Sequence, residues 1–492
     1  MELATELQAS LQEFTSSGIV EVRENGGSGA PFEGMSWEVR GEGERPLLHL
    51  WSERFNLTRR VLAITDHSEE RLALAVERFG RSKPDRLEFI RKEFARSSRE
   101  LSRQEFRDQV AQIMAEQFPD ETLESLTVSP DLEHSLSGSY ARGLLRRGSA
   151  RIAVLAVPGD EPSDSADNSL TFALLWLKRV CDSSHRGAIS GLRVILPRHR
   201  SGVVAYRLAA LKPHIGVELY ELEPALGTLE RIDSRQAGNL NFWLVPQREA
   251  ENLLQQASSA LEPVIALAPK AVTIHPASHS REVWLRFRGL PFARWQDGRI
   301  FFGLQDVLEE LTRDTEPALK KLLHDLEIHR HPLANDTRHP LYRAQPERWL
   351  ESLVREDVTR IDAMLDPRWV YAQVFADVGG HHGILDLLTV TRFGRLAIIE
   401  LKASEHIHLP LQAADYWLRV RQQLKNGEIS RYGYFPGVAL QDAPPIVYLV
   451  APALRFHPAT DDLLNCLSPE IEVVRVGLAE SWRRGLRVVM RS

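Results

Sequence analysis

Residues 383–416 read GILDLLTVTRFGRLAIIELKASEHIHLPLQAADY, and this stretch decides the fold of the module that carries it. Two apolar runs, Ile384 to Thr391 and Leu396 to Leu401, flank Arg392-Phe393-Gly394-Arg395, a short glycine-containing connection that reads as a hairpin turn. Side chains alternate along a strand, so Ile398, Glu400 and Lys402 share one face while Ile399 and Leu401 share the other. Asp386 interrupts the first run. Both runs are apolar at nearly every other position, which predicts a sheet covered on both faces, where an unpaired carboxylate or ammonium is costly. A divalent cation between Asp386 and Glu400 would offset that cost, because Mg²⁺ prefers oxygen ligands and is commonly held by one or two carboxylates plus water and phosphate. Lys402 would point into the same notch. On the residues alone, the alternative is a half-buried strand pair with a structural Glu400–Lys402 ion pair.

Asp386, followed on the next strand by Glu400-Leu401-Lys402, resembles the core of the PD-(D/E)XK nuclease superfamily. Gln412-Ala-Ala-Asp-Tyr416 is similar to the Q-x-x-x-Y element that RecB-type members place just after the E-x-K strand. Upstream, Glu347-Arg-Trp-Leu-Glu351 opens a helix whose acidic residue looks like the helix Glu of many members, with Glu351 preferred over Glu347. Leu385 stands where the eponymous proline would be, which removes no ligand. The resemblance runs from Gln345 to about Val450.

That resemblance implies a restriction-endonuclease-like mixed sheet flanked by helices, and a metal-dependent deoxyribonuclease, an endonuclease rather than an exonuclease. Asp386 and Glu400 would hold Mg²⁺, with Mn²⁺ able to substitute, helped by the Leu401 carbonyl and by Glu351 through a second ion or a water. Lys402 would orient or activate the attacking water. Gln412 and Tyr416, one helical turn apart, would contact substrate or Lys402. Cutting both strands with such a module implies a homodimer or a partner protein. The rival reading is a catalytically silent nucleic-acid-binding or scaffold protein that keeps the fold.

At 492 residues the chain is too long for one core. A composition of 43 % hydrophobic and 26 % charged residues is that of ordinary globular domains. The net charge of −6 argues against a uniformly basic coat, so contact with DNA, or with RNA, must come from local patches. Cys181 and Cys466 are the only cysteines, which leaves no disulfide framework and no cysteine-based zinc site. The start, Met1-Glu-Leu-Ala-Thr-Glu, lacks the features of a signal peptide. No apolar run reaches the roughly 18 residues of a membrane span. The expectation is a cytoplasmic protein with no membrane contact.

The fold class expected is multidomain α/β. Residues 1–130 read as an α+β region: a helix from Leu3 to Phe14, short strands up to Ile64, then a basic amphipathic helix or helix pair from Arg81 to Phe118. Residues 131–265 alternate strand-like and helix-like runs, an α/β unit of unknown role without a phosphate-binding loop and without its own Asp and E-x-K. Residues 266–330 hold Arg281, Arg286, Arg288, Arg294 and Arg299 among Trp284, Phe287, Phe292 and Trp295, followed by a helix from Leu304 to Ile328. That mixture suits a nucleic-acid surface, or a hairpin with aromatics in and arginines out. His329 to Pro340 reads as a linker. Residues 341–492 form the nuclease-like domain.

Overall fold

The computed structural model describes residues 2–492 except 16–19, 25–29, 33–34, 42–44, 53–54, 69, 78–83, 132, 184–187, 224–226, 235–243, 245, 278–279, 305–306 and 379–380, together with the side chains of 2, 31, 52, 55–56, 92–100, 163, 307, 373, 375–378 and 381–384. The chain is a mixed α/β, multidomain protein with four sheets among the described residues. None of their helices is long and apolar enough to cross a membrane.

The helix Glu2–Thr15 lies on a seven-stranded antiparallel sheet. Leu7, Leu11 and Phe14 recur at helical spacing and bury against Val22, Leu48, Leu74 and Phe89 of that sheet. The helix expected from Arg81 starts later, because Asp85–Arg91 is a strand and only Lys92–Gln117 is helical. Leu87 and Phe89 alternate inward with a period of two, and that pattern wins where the segment pairs on both sides, with Val20–Glu24 and Arg71–Glu77. Much of the basic run from Arg81 to Arg99 lies outside the described residues.

Residues 272–310 form a five-stranded antiparallel meander that shares one core with the helices Gln247–Ala266 and Glu316–His329. The helix expected from Leu304 begins at Glu316, with Pro317 in its first turn, since Val307–Glu310 pairs as a fifth strand with Arg299–Leu304.

The remaining two sheets carry the same plan. In the middle unit α1 (Lys92–Gln117) precedes β1 (Thr122–Thr127), β2 (Ala141–Arg147) and β3 (Ala150–Ala156), then α2 (Ser169–Ser183), β4 (Ile189–Pro197), the short α3 (Gly202–Arg207), β5 (Val217–Glu223) and β6 (Thr228–Ile232). In the C-terminal unit α4 (Pro346–Glu356) precedes β7 (Leu365–Val378), β8 (His381–Thr391) and β9 (Leu396–Leu401), then α5 (Leu409–Lys425), β10 (Ile446–Pro452), the short α6 (Thr460–Leu464), β11 (Val473–Leu478) and β12 (Val488–Arg491). Each six-stranded sheet runs in chain order: an antiparallel meander of three, two parallel steps, and an antiparallel edge.

Both faces of each sheet are covered, as the apolar runs demand. One face of the C-terminal sheet packs on Trp349, Leu350 and Val354 of α4, and one face of the middle sheet packs on Val110, Ile113 and Met114 of α1. The other faces meet in a single core containing Leu170, Leu174 and Val180 of α2 together with Leu411, Trp417 and Val420 of α5.

The hairpin at Arg392 to Arg395 forms where the glycine predicts it. Gly394 has φ +87°, and a Cβ there would sit 2.1 Å from the Ala439 carbonyl oxygen. Gly394→Ala is therefore expected to cost about 2 kcal/mol from the left-handed backbone and the clash together. A denaturation midpoint equal to that of the parent protein would contradict this.

Candidate active site

Asp386 on β8 lies one step beyond the pair Leu387 and Ile399, so continuing register sets it opposite Glu400 on β9. Its Oδ2 accepts the Leu401 N–H at 2.9 Å, which fixes the carboxylate across the two strands. Lys402 Nζ donates to Glu400 Oε1 at 2.9 Å. The three expected side chains thus converge on the α5 side of the sheet. Glu400 is 1 % exposed, whereas Asp386 and Lys402 are each 15 % exposed, so the notch opens to solvent at its Asp and Lys end.

The electrostatics are those of a crowded anionic site. Burial raises the Glu400 carboxyl above its usual range, Asp386 adds to the rise, and Lys402 opposes it only in part. Asp386 is raised as well, by burial first. For Lys402, burial works to lower the pKa, but Glu400 and Asp386 outweigh it and hold the ammonium above its ordinary value, charged at neutral pH. Glu400 Oε2 is buried and has no hydrogen-bond partner among the described residues. Two carboxyl groups, one with an oxygen to which nothing among the described residues donates, form a set that a hard divalent cation would draw into the charged form.

Gln412 and Tyr416 both face this notch. Gln412 Nε2 donates to Tyr416 Oη at 3.3 Å, and burial, then the Glu400 charge, hold the phenol proton more tightly than usual. Glu351 lies behind Arg348, and the Asp386 charge acts on it. It is buried, 2.7 Å from Arg348 Nη1 and 3.6 Å from Arg286 Nη1, and Arg348 Nη1 stands between it and Asp386 Oδ1 at 3.9 Å. Glu347, one turn earlier on α4, reaches the loop after Lys402 instead, its Oε1 3.4 Å from both Ala403 N and Ser404 Oγ. Its charge acts on both Lys402 and Asp386. Helical periodicity puts Glu347 and Glu351 on one face and cannot choose between them; the depth at which α4 crosses the sheet does. Among the described residues no three His, Cys, Asp or Glu side chains gather as a metal-holding group. Leu401 meets the site through its N–H.

Of the nearby histidines, the side chains of His381 and His382 lie outside the described residues. His408 Nδ1 pairs with Thr171 Oγ1 of α2 at 2.9 Å, and burial pulls its pKa down to about 4, which suits a neutral contact between units. His406 lines a cavity of about 260 Å³ with Gln412 and Tyr416.

Next to Asp386 lies a feature that sequence periodicity does not reveal. A cavity of about 570 Å³ between the meander and the C-terminal sheet is lined by Arg286, Arg348, Arg355, His275, Trp284 and Tyr371, among others. Arg286, expected to point outward if aromatics filled the core, is buried and reaches Glu351. Burial, opposed by Glu351 but aided by Arg348 and Arg355, brings it down to about 10. The only hydrogen-bond partner of Arg355 among the described residues is His275, 3.1 Å away, and burial with the three arginines keeps that ring neutral.

No protein-family model matches this chain, and comparison with curated proteins finds none that matches it.

Proposed function

We propose that residues 346–491 are a PD-(D/E)XK-like module and that the protein is a divalent-metal-dependent nuclease acting on DNA. One observation carries the reading: Asp386, Glu400 and Lys402, brought from two strands to one partly open notch, leave a buried carboxylate oxygen without a donor. A fold that gained nothing from these charges would find apolar side chains cheaper there.

Asp386 and Glu400 are the residues that would hold the ion, with Glu347, whose charge acts on both Asp386 and Lys402, as a further carboxylate. Bound there, a divalent cation offsets phosphate charge and lowers the pKa of a bound water. In the hydrolysis, the water oxygen forms a bond to phosphorus, one phosphoester P–O bond breaks, and the departing sugar oxygen ends protonated. Lys402, charged at neutral pH, serves as a donor that orients water or a phosphate oxygen, not as a base. Tyr416 and Gln412 wall the notch and keep its far side dry. The arginine-lined cavity beside Asp386 takes up the strand next to the cut, its guanidiniums meeting phosphate and its Trp284 and Tyr371 meeting a base.

The test is incubation with supercoiled, linear and single-stranded DNA and with RNA, in Mg²⁺, in Mn²⁺ and in EDTA. Cleavage of DNA that stops in EDTA is expected. Cleavage of RNA alone would correct the substrate, and cleavage undiminished by EDTA would refute the metal. For the cavity, Arg355→Gln removes a charge-assisted phosphate contact of about 1.5–3 kcal/mol. It should raise KM about tenfold or more and leave kcat nearly unchanged; an unchanged KM would exclude the cavity from the substrate path.

A further inference from the structure

We infer that the middle unit is a blank second copy of the C-terminal module, held in the place a partner copy would occupy, so that one chain cuts one strand of a duplex and leaves the other whole. The inference rests on the nuclease reading and adds to it the form of the product.

The relation between the two units goes beyond a shared strand order. Leu192 pairs with Val217 as Val447 pairs with Val473, and Pro197 pairs with Leu222 as Pro452 pairs with Leu478, so β4 and β5 superpose in register on β10 and β11. Leu211 precedes β5 by the same spacing as Leu467 precedes β11, and these two residues form an antiparallel bridge with each other. Its hydrogen bonds are reciprocal: the Lys212 N–H donates to the Cys466 carbonyl at 2.9 Å, and the Ser468 N–H to the Ala210 carbonyl at 2.7 Å. Around this bridge the helix α2 packs on α6 while α5 packs on α3. Equivalent residues contact each other, and each crossover helix rests on the short helix of the other unit. That is the pattern of a two-fold interface, here made within one chain.

The same register identifies what stands in the middle unit at the positions of the notch. The Val157 N–H donates to the Ile195 carbonyl as the Lys402 N–H donates to the Val450 carbonyl, which aligns Val157 with Lys402 and Leu155 with Glu400. Arg142 pairs with Leu155 and so takes the position of Asp386. Leu155 and Val157 belong to the core on the α2 side, the counterpart of the α5 side. Arg142 is fully buried, and its guanidinium lies 5.7 Å from the centre of the Trp176 ring of α2. A leucine, a valine and a fixed cation hold no metal and activate no water. The chain therefore has one cutting centre, and the face through which a second copy would bring another is already filled.

Supercoiled plasmid with Mg²⁺ separates the outcomes. Open circles should accumulate almost completely before any linear form appears, at a rate first order in protein, while sedimentation with and without DNA shows a single chain. Linear product formed without an open-circle stage, or a rate rising with the square of protein concentration alongside a dimer, overturns the single-strand inference and leaves the nuclease standing. Absence of any cleavage sinks both.

Discussion

Lys402→Ala should lower the turnover of DNA about 10²–10³-fold, the usual loss when one preorganised donor is removed from a site of developing charge. The side chain makes a 2.9 Å bond to Glu400 and is the sole ammonium among the described residues in a notch that also holds Asp386. Its removal leaves two buried carboxylates with the Arg348 guanidinium, 3.9 Å from Asp386, as their remaining counter-charge, so metal affinity and water positioning change together. Asp386→Asn gives a complementary result. The amide oxygen can still accept the Leu401 N–H, so the strands stay joined, but the charge available to a metal falls. Activity should drop at least as far, while the metal-free protein becomes slightly harder to unfold, because one member of a crowded buried pair no longer opposes the other. A site variant that loses activity by misfolding would move stability the opposite way. Cutting that persists in the Asp386→Asn, Lys402→Ala double variant would show that these residues are not the machinery.

Much of this notch was legible in the linear pattern. The turn at Gly394, the bounds of β9 and the facing of Glu400 and Lys402 follow from period-two alternation and one glycine. Gln412 and Tyr416 follow from one helical turn. What stayed hidden depends on how distant segments meet. Glu347 and Glu351 are equivalent on a helical wheel, and only the crossing of α4 over the sheet brings the first near Lys402 and gives the second to Arg286 and Arg348. Asp85–Arg91 satisfies two periods at once, and the strands that pair with it on either side decide. The kinship of the middle and C-terminal units is invisible to motif reading for a plain reason. Once Arg142, Leu155 and Val157 replace the charged set, only backbone pairing records it.

Asp415→Ala should be the most damaging change to stability, costing about 3–5 kcal/mol, as expected when one partner of a buried ion pair is removed. Asp415 on α5 accepts three hydrogen bonds of 2.9–3.0 Å from Arg207 on α3, and both residues are buried where the two units join. Burial works to lower the Arg207 pKa, and Asp415 more than restores it, so the guanidinium stays charged in the interface. Its Nη1 also donates to the Asp167 carbonyl, which pins Arg207 in place and denies it an easy retreat to solvent. The alanine variant therefore strands a charge against an apolar core shared by α2 and α5. Replacing both partners by apolar residues of similar volume, Arg207→Met with Asp415→Leu, removes the pair without stranding either member and should recover most of the loss. The comparison is read from denaturation midpoints monitored by a probe in each unit. If the two units are joined as the reciprocal bridge at Leu211 and Leu467 implies, Asp415→Ala shifts both probes together. A shift confined to the C-terminal unit, or a double variant as unstable as the single one, would mean that the pair does not couple the two halves.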